Sequence, residues 1–574
     1  MKRAFATLAS GIQLHYRRAG SGSPVILLHP SPQSSSFSIP MAQRLACNFT
    51  AIAVDTPGYG LSDPLPGAPR SPALEDYVPA LVEFLDALGI GKAAFYGNAT
   101  GAEIAHLLAY AHPDRVALCM IDTAGHKEDA DLNAMLAGYF PDVTPRRDGG
   151  HLLTHWDMVR SLYLFSPWQQ TDRAHRLPID LPSPAVIHEK MLDYLRAGEG
   201  YAAAYRPAFY TAKHALISRV TVPATLTRWE GKPDLSEVDE LLRRGLPGNF
   251  TVLHAGPSMD QRLAASENYL LQHYRNVGFS APEPALARPA AQTASSLQRE
   301  LVDTPTGQLL VRACRAGRGT PLLALHDAGA SSGSMLELLH PFVGVRPVIA
   351  IDYPGCGDSD ANGAAAVSDL LPAYAAAIVA ALQALGFARV FVIGRGLGGL
   401  VAVEIARIAP AAVRSIVQLA PLIFDATERA SMQQNIAPDL SPRWDGSHLV
   451  TAWAIVRDSR LFWPWYRRTR AGVVAADADL NPGRLQRQVE DLLKTGQAWP
   501  NQWSEALAYP LLQRVAGAAV RTLFADEEGS PTASRLGGIG ALLAPLPAHC
   551  QVLLDPLSRD PVARRAALQS WFDS

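Results

Sequence analysis

The chain alternates between two kinds of apolar pattern. Short runs rich in β-branched residues (PVILLH, FTAIAVD, AAFYG, VALCMID, PATLTRW and FTVLHAG) predict buried strands. Between them, ALEDYVPALVEFLDALGI and GAEIAHLLAYAH carry apolar residues at helical spacing. This alternation predicts a mostly parallel sheet covered by helices. Residues 126–220 break the pattern with a longer, aromatic, mostly helical stretch. Its position predicts a cap over the carboxyl end of the sheet, where such sheets keep their sites.

The whole pattern is written twice. VILLHPSPQSSS answers to LLALHDAGASSG, AIAVDTPGYGLSD to VIAIDYPGCGDSD, and YGNATGAEIA to IGRGLGGLVA. His29 matches His326, Asp55 matches Asp352, Ala99 matches Gly396 and His151 matches His448, each pair 297 positions apart. One offset held across so many landmarks means a tandem duplication. The Pro/Ala/Ser-rich stretch 278–298 reads as a linker between domains at 1–277 and 299–574, with caps at about 126–220 and 423–515. An intramolecular contact between the domains is expected, and an oligomer is left open.

The run Leu370–Phe387 is apolar enough to suggest a membrane span. Pro372, Gly386 and the acidic counterpart Glu75, Asp76, Glu83 and Asp86 in the first copy favour a core helix instead. Composition changes the picture little. A chain of 574 residues with 48% hydrophobic and 18% charged residues is globular, and its formal net charge of -2 recommends neither nucleic acid nor an anionic membrane as partner. Five scattered cysteines form no CxxC pair, and the first residues contain no apolar signal core. A cytoplasmic protein is expected.

The motifs carry more. LLHPSP follows a strand, DTPGYGLSD the next one, then come a glycine-framed turn into a helix, a helical cap, and WEGKPDL after a late strand. In that order they resemble the α/β-hydrolase superfamily, over nearly the whole of both copies. The resemblance implies a nucleophile elbow, whose glycines let a strained central residue stand above the sheet. The next backbone N–H, with one from the oxyanion loop, would stabilise an oxyanion. The oxyanion and elbow positions are then Pro30, Ala99 and Thr100 in the first copy, and Gly396 and Leu397 in the second.

The catalytic residues depart from this pattern. Ala99 and Gly396 offer no nucleophile. The family's base follows the last strand, but TVLHAGPSMDQRL places His254 within the strand and QVLLDPLSRDPVA has no His. Asp234 fits the acid position, and Asp526 fits it more loosely. Thr100 follows the elbow centre and is no replacement nucleophile.

The copies share a block in the cap: Asp148/Asp445, His151/His448, Thr154/Thr451, Trp156/Trp453, Arg160/Arg457, Phe165/Phe462 and Trp168/Trp465. One reading makes His151 or His155 an acid/base, Arg160 a carboxylate clamp, and Trp156, Phe165 and Trp168 pocket walls, with His29 and Asn98 beside the elbow. The other makes Asp148 an N-cap and the aromatic residues a seat for the cap. Arg395 in the second copy is a candidate anion ligand. GRGLGG fits the elbow better than a dinucleotide loop, and no metal or phosphate-loop spacing is present, so no cofactor is expected.

Three functions remain. The first is an enzyme, with domain 1 as the expected active copy, that treats a small organic acid or ester with hydrolase or lyase chemistry by acid/base and oxyanion groups without a serine. The second is a pseudoenzyme that binds a ligand or a partner. The third is an esterase inactivated at Ala99.

Overall fold

The computed structural model describes residues 1–67, 72–122, 129–210, 213–232, 235–275, 277–282, 296–361, 369–528, 530 and 546–573. It divides into two compact units, 1–144 with 151–288 and 145–150 with 289–574.

Unit 1 contains β1 (Lys2–Thr7), β2 (Gln13–Ala19), β3 (Pro24–Leu28), β4 (Thr50–Val54), β5 (Ala93–Asn98), β6 (Val116–Asp122), β7 (Ala224–Trp229) and β8 (Phe250–Ala255). They form one sheet in the order β1-β2-β4-β3-β5-β6-β7-β8. The pairs β1–β2 and β2–β4 are antiparallel, and from β4 to β8 the sheet is parallel. Every residue of β3 and β4 is buried, as expected of strands covered on both faces. The predicted parallel strands are all present. The antiparallel pair β1 and β2 was not apparent from the sequence, because paired arginines (Arg17, Arg18) interrupt its apolar alternation.

Unit 2 repeats this with β9 (Gln298–Thr304), β10 (Gly307–Cys314), β11 (Leu322–Leu325), β12 (Val348–Ile351), β13 (Val390–Arg395), β14 (Val413–Leu419), β15 (Thr522–Ala525) and β16 (Cys550–Val552). The order is β9-β10-β12-β11-β13-β14-β15-β16. The two sheets are thus built alike.

Each cap is helical. In unit 1 it includes helices Gly150–Ser161, Pro184–Ala197 and Tyr205–Tyr210. In unit 2 it includes Ser447–Asp458, Pro482–Thr495 and Ala498–Ala508. The apolar run near residue 370 forms the core helix Leu370–Ala384. Glu505 accepts the N–H of Leu370 at 2.6 Å and of Leu371 at 3.0 Å, satisfying donors that a helix start leaves open. Among the described residues, no helix is long and apolar enough to cross a membrane.

Candidate active site

The elbows form where β5 and β13 turn into helices Thr100–Ala111 and Leu397–Ile408. Ala99 sits at φ 47°, ψ −115°, and Gly396 at φ 51°, ψ −115°. A side chain held at positive φ costs about 1–2 kcal/mol, so the Ala99 turn is strained. The framing glycines have a steric cause. A Cβ at Gly97 would lie 2.3 Å from Gly101 O, and one at Gly101 would lie 2.4 Å from Leu28 O. The nucleophile's backbone is therefore kept while its side chain is a methyl group or nothing.

The oxyanion loop of unit 1 is fixed by its histidine. His29 Nδ1 donates to Pro30 O at 3.0 Å, and Nε2 accepts the N–H of Thr56 at 3.0 Å. Burial lowers its pKa, so it stays neutral and shapes the loop. His326 is held in the same way by Asp327 O and the Tyr353 N–H. Pro30 has no N–H to donate. At the next position, Ser31 matches Ala328, whose N–H donates to Asp327 Oδ1 at 2.7 Å. Asp55 accepts the N–H groups of Ser35 and Leu61 and pairs with His15 Nδ1 at 2.8 Å, which fixes the turn after β4.

A salt bridge lies below the Ala99 elbow. Asp122, whose backbone carbonyl accepts the Ala99 N–H at 3.1 Å, meets Arg262 Nη2 at 2.7 Å. Tyr96 OH also donates to this carboxylate, and Asn98 Nδ2 donates at 3.4 Å. Arg262 belongs to the helix Met259–His273, which follows β8, and its guanidinium lies 4.6 Å from the Trp229 ring centre. In unit 2, Glu527 pairs with Arg395 at 2.7 Å and with Arg564 of the last helix at 3.3 Å. Arg395 is thus engaged by a carboxylate. His254 is exposed on β8.

The cap residues of unit 1 separate into two groups. His155 is fully buried, and neither of its ring nitrogens has a hydrogen-bond partner among the described residues. Its ring faces Tyr194 at 6.5 Å and Tyr201 at 6.3 Å. Burial, with His151 nearby, pushes its pKa down to about 3. His151 and Trp156 are buried on the same helix. The segment carrying Tyr201 rests on the core, where Tyr59 OH donates to Tyr201 O at 3.3 Å and accepts the Ala204 N–H at 2.8 Å. Tyr59 packs edge-on against His29, 6.1 Å between centres. Tyr59 thus touches the His29 ring and the backbone of the segment that carries Tyr201, whose ring meets His155.

The residues of the second group each have a local partner. Arg160 Nη2 pairs with Asp157 at 2.7 Å in a largely exposed pair. Phe165 packs under Arg176. Trp168 Nε1 donates to Tyr139 O at 3.0 Å, as Trp465 Nε1 does to Ile436 O at 2.9 Å. That repeated bond seats each cap loop. Asp148 accepts the Gly150 N–H at 2.9 Å at the start of its helix. Asp234 lies outside the described residues.

A further pair escaped notice in the sequence. Ser34 Oγ donates to Asp193 Oδ2 at 3.1 Å, and Ser331 Oγ donates to Asp491 Oδ2 at 2.7 Å. Each bond ties a cap helix to an oxyanion loop. Asp193 and Asp491 are 298 positions apart, one off the common offset, which hid the match.

Comparison with known proteins agrees with this architecture. A profile of the family described as "alpha/beta hydrolase fold" matches residues 23–207 and 320–554. Bifunctional epoxide hydrolase 2 of Rattus norvegicus is 30% identical over 172 residues, covering 29% of this chain and 26% of its own. A 2-hydroxy-6-oxononadienedioate/2-hydroxy-6-oxononatrienedioate hydrolase of Pseudomonas putida is 35% identical over 120 residues, covering 20% of this chain and 41% of its own. The chain thus spans less than half the length of these curated relatives. Among solved structures, epoxide hydrolase A of Mycobacterium thermoresistibile aligns over 49% of this chain and 99% of its own, at 20% identity and a TM-score of 0.36.

Proposed function

For a chain that belongs to the alpha/beta hydrolase fold family, we propose that unit 1 is an enzyme that works without a covalent nucleophile. Its substrate is a small, partly apolar ester, lactone or related organic acid, held between the elbow and the tyrosine-lined cap. The names of the relatives, hydrolases of epoxides and of a 2-hydroxy-6-oxo dienedioate, favour a small oxygenated molecule.

One observation carries this reading. His155 is fully buried, yet neither ring nitrogen has a hydrogen-bond partner among the described residues. A buried polar group without a partner costs about 1–3 kcal/mol, and a ligand that binds it recovers that cost. Burial keeps the imidazole neutral at physiological pH.

The chemistry assigned is direct addition of water. The N–H groups of Thr100 and Ser31 hold the carbonyl oxygen as it gains charge. Neutral His155 takes a proton from the attacking water, then returns it to the departing alcohol oxygen. An ester and water thus give an acid and an alcohol, and the enzyme ends in its starting protonation state. Asp234 remains the candidate carboxylate for orienting the base. Arg160, engaged by Asp157, is left out of the site.

A second reading is a binding protein without turnover, which the methyl group and the bare glycine at the two elbows favour. A panel of short esters, lactones and epoxides, followed by mass spectrometry of the products, separates the two. The enzyme reading expects product that resists fluorophosphonate treatment and disappears in His155→Gln. Thermal stabilisation by a compound that is never converted would favour binding.

A further inference from the structure

The two elbows differ in what fills the space above them. In unit 1 it is the Ala99 methyl. In unit 2 a Cβ built on Gly396 would lie 2.1 Å from Asp327 Oδ1. The Asp327 carboxylate thus stands in the volume of the missing elbow side chain.

Its hydrogen bonds are those of an oxyanion. Asp327 Oδ1 accepts the Leu397 N–H at 2.8 Å and the Ala328 N–H at 2.7 Å. Leu397 opens the elbow helix and Ala328 belongs to the oxyanion loop, so these are the two donors this fold aims at a developing negative charge. The helix Leu397–Ile408 has 12 residues, and its N-terminal partial charge favours an anion there. Arg395 acts in the same direction and opposes the rise in pKa that burial imposes on Asp327. The cap closes on the same loop. Gln502 Oε1 accepts the Gly329 N–H at 2.9 Å, and Gln502 Nε2 donates to Tyr374 OH at 3.2 Å.

We infer that the oxyanion site of unit 2 is a carboxylate site loaded by the chain itself, with Asp327 as a built-in occupant that keeps the unit catalytically silent. Removing the occupant leaves two buried N–H donors at a helix start, a site suited to a small free carboxylate such as formate. Position 396 must then be glycine, because any side chain there evicts Asp327. Unit 1 holds the reverse combination: Ala99 at the elbow and Pro30, with no carboxylate, at the position matching Asp327.

The test uses the full chain and its thermal unfolding. Asp327→Gly is expected to unfold at lower temperature and to regain stability with formate, saturably, with a Kd of about 1–10 mM. Chloride at equal ionic strength should not restore it. Wild type and Asp327→Asn, which keeps an acceptor oxygen in place, should gain clearly less from formate. Any binding in unit 1 is common to all three and cancels in the comparison. Gly396→Ala supplies an independent measurement. It should destabilise wild type but cost much less in the Asp327→Gly background, so the double variant folds even where Asp327→Gly alone does not. Equal formate responses in wild type and Asp327→Gly would overturn the inference. So would a Gly396→Ala cost that is the same in both backgrounds, or failure of both the single and the double variant to fold.

Discussion

Arg262 Nη2 stands 2.7 Å from Asp122 Oδ2, with the two side chains 6% and 1% exposed. The ion pair lies behind the elbow and joins the end of β6 to the last helix of unit 1. The family's imidazole would follow the same last strand. A buried carboxylate here already has a permanent cation, so it has no free charge with which to support a base.

That pair makes a first prediction. Arg262→Met leaves the Asp122 carboxylate buried without its cation, which costs about 3–5 kcal/mol of stability. Urea unfolding of unit 1 should show this as a lowered midpoint. The double variant Asp122→Asn/Arg262→Met should recover a large part of the loss, because it removes the stranded charge. A single variant as stable as wild type would mean that water reaches the pair.

The strain at Ala99 gives a second. Ala99→Gly removes the Cβ penalty at φ 47° and should stabilise by about 1 kcal/mol. Ala99→Ser supplies a hydroxyl but no base. It should gain neither fluorophosphonate labelling nor a burst of acyl-enzyme with short nitrophenyl esters, as followed by intact-protein mass. Stoichiometric labelling would revive the reading of an esterase disabled at one residue.

The cap ties titrate near neutrality. Burial raises Asp193 to about 6, opposed by Arg196 and reinforced by Asp55 and Glu189. Burial likewise raises Asp491 to about 7, opposed by Lys494 and reinforced by Asp352 and Asp358. Both values exceed that of an unfolded aspartate, about 3.9, so the folded state holds these protons more tightly. Their contribution is complete below pH ~4 and is lost as pH rises through about 6 for Asp193 and 7 for Asp491. Asp193→Asn and Asp491→Asn should flatten that decline, by on the order of 3 and 4 kcal/mol respectively between pH 4 and 8. Urea midpoints across this range check it, and a slope unchanged from wild type would contradict it.

The fold was legible because its signals are local. Buried parallel strands such as Val25–Leu28 are continuous apolar runs, and the elbow glycines recur at one spacing in both copies. The loss of the nucleophile at Ala99 and Gly396 was equally plain. What replaced it was not, because those groups meet only in space. Arg262 and Asp122 are 140 positions apart, and Leu397 and Asp327 are 70 apart. The pairing of Pro30 with Asp327 was visible in the repeat. Its meaning appears only when the carboxylate is seen above Gly396. Trp168 and Trp465 illustrate the opposite case, since their shared sequence reflects one repeated bond to a backbone carbonyl.

The central claim is that unit 1 turns over its substrate through the buried imidazole of His155 and oxyanion donors, with no covalent intermediate. The most direct measurement is product formation from the ester, lactone and epoxide panel by wild type and His155→Gln, each with and without prior fluorophosphonate. The account predicts conversion of at least one compound by wild type, unaffected by the reagent, and a loss of roughly 100-fold or more in His155→Gln, as removal of a general base requires. Equal rates in the two proteins, or ligands that stabilise the chain and are never converted, would contradict it.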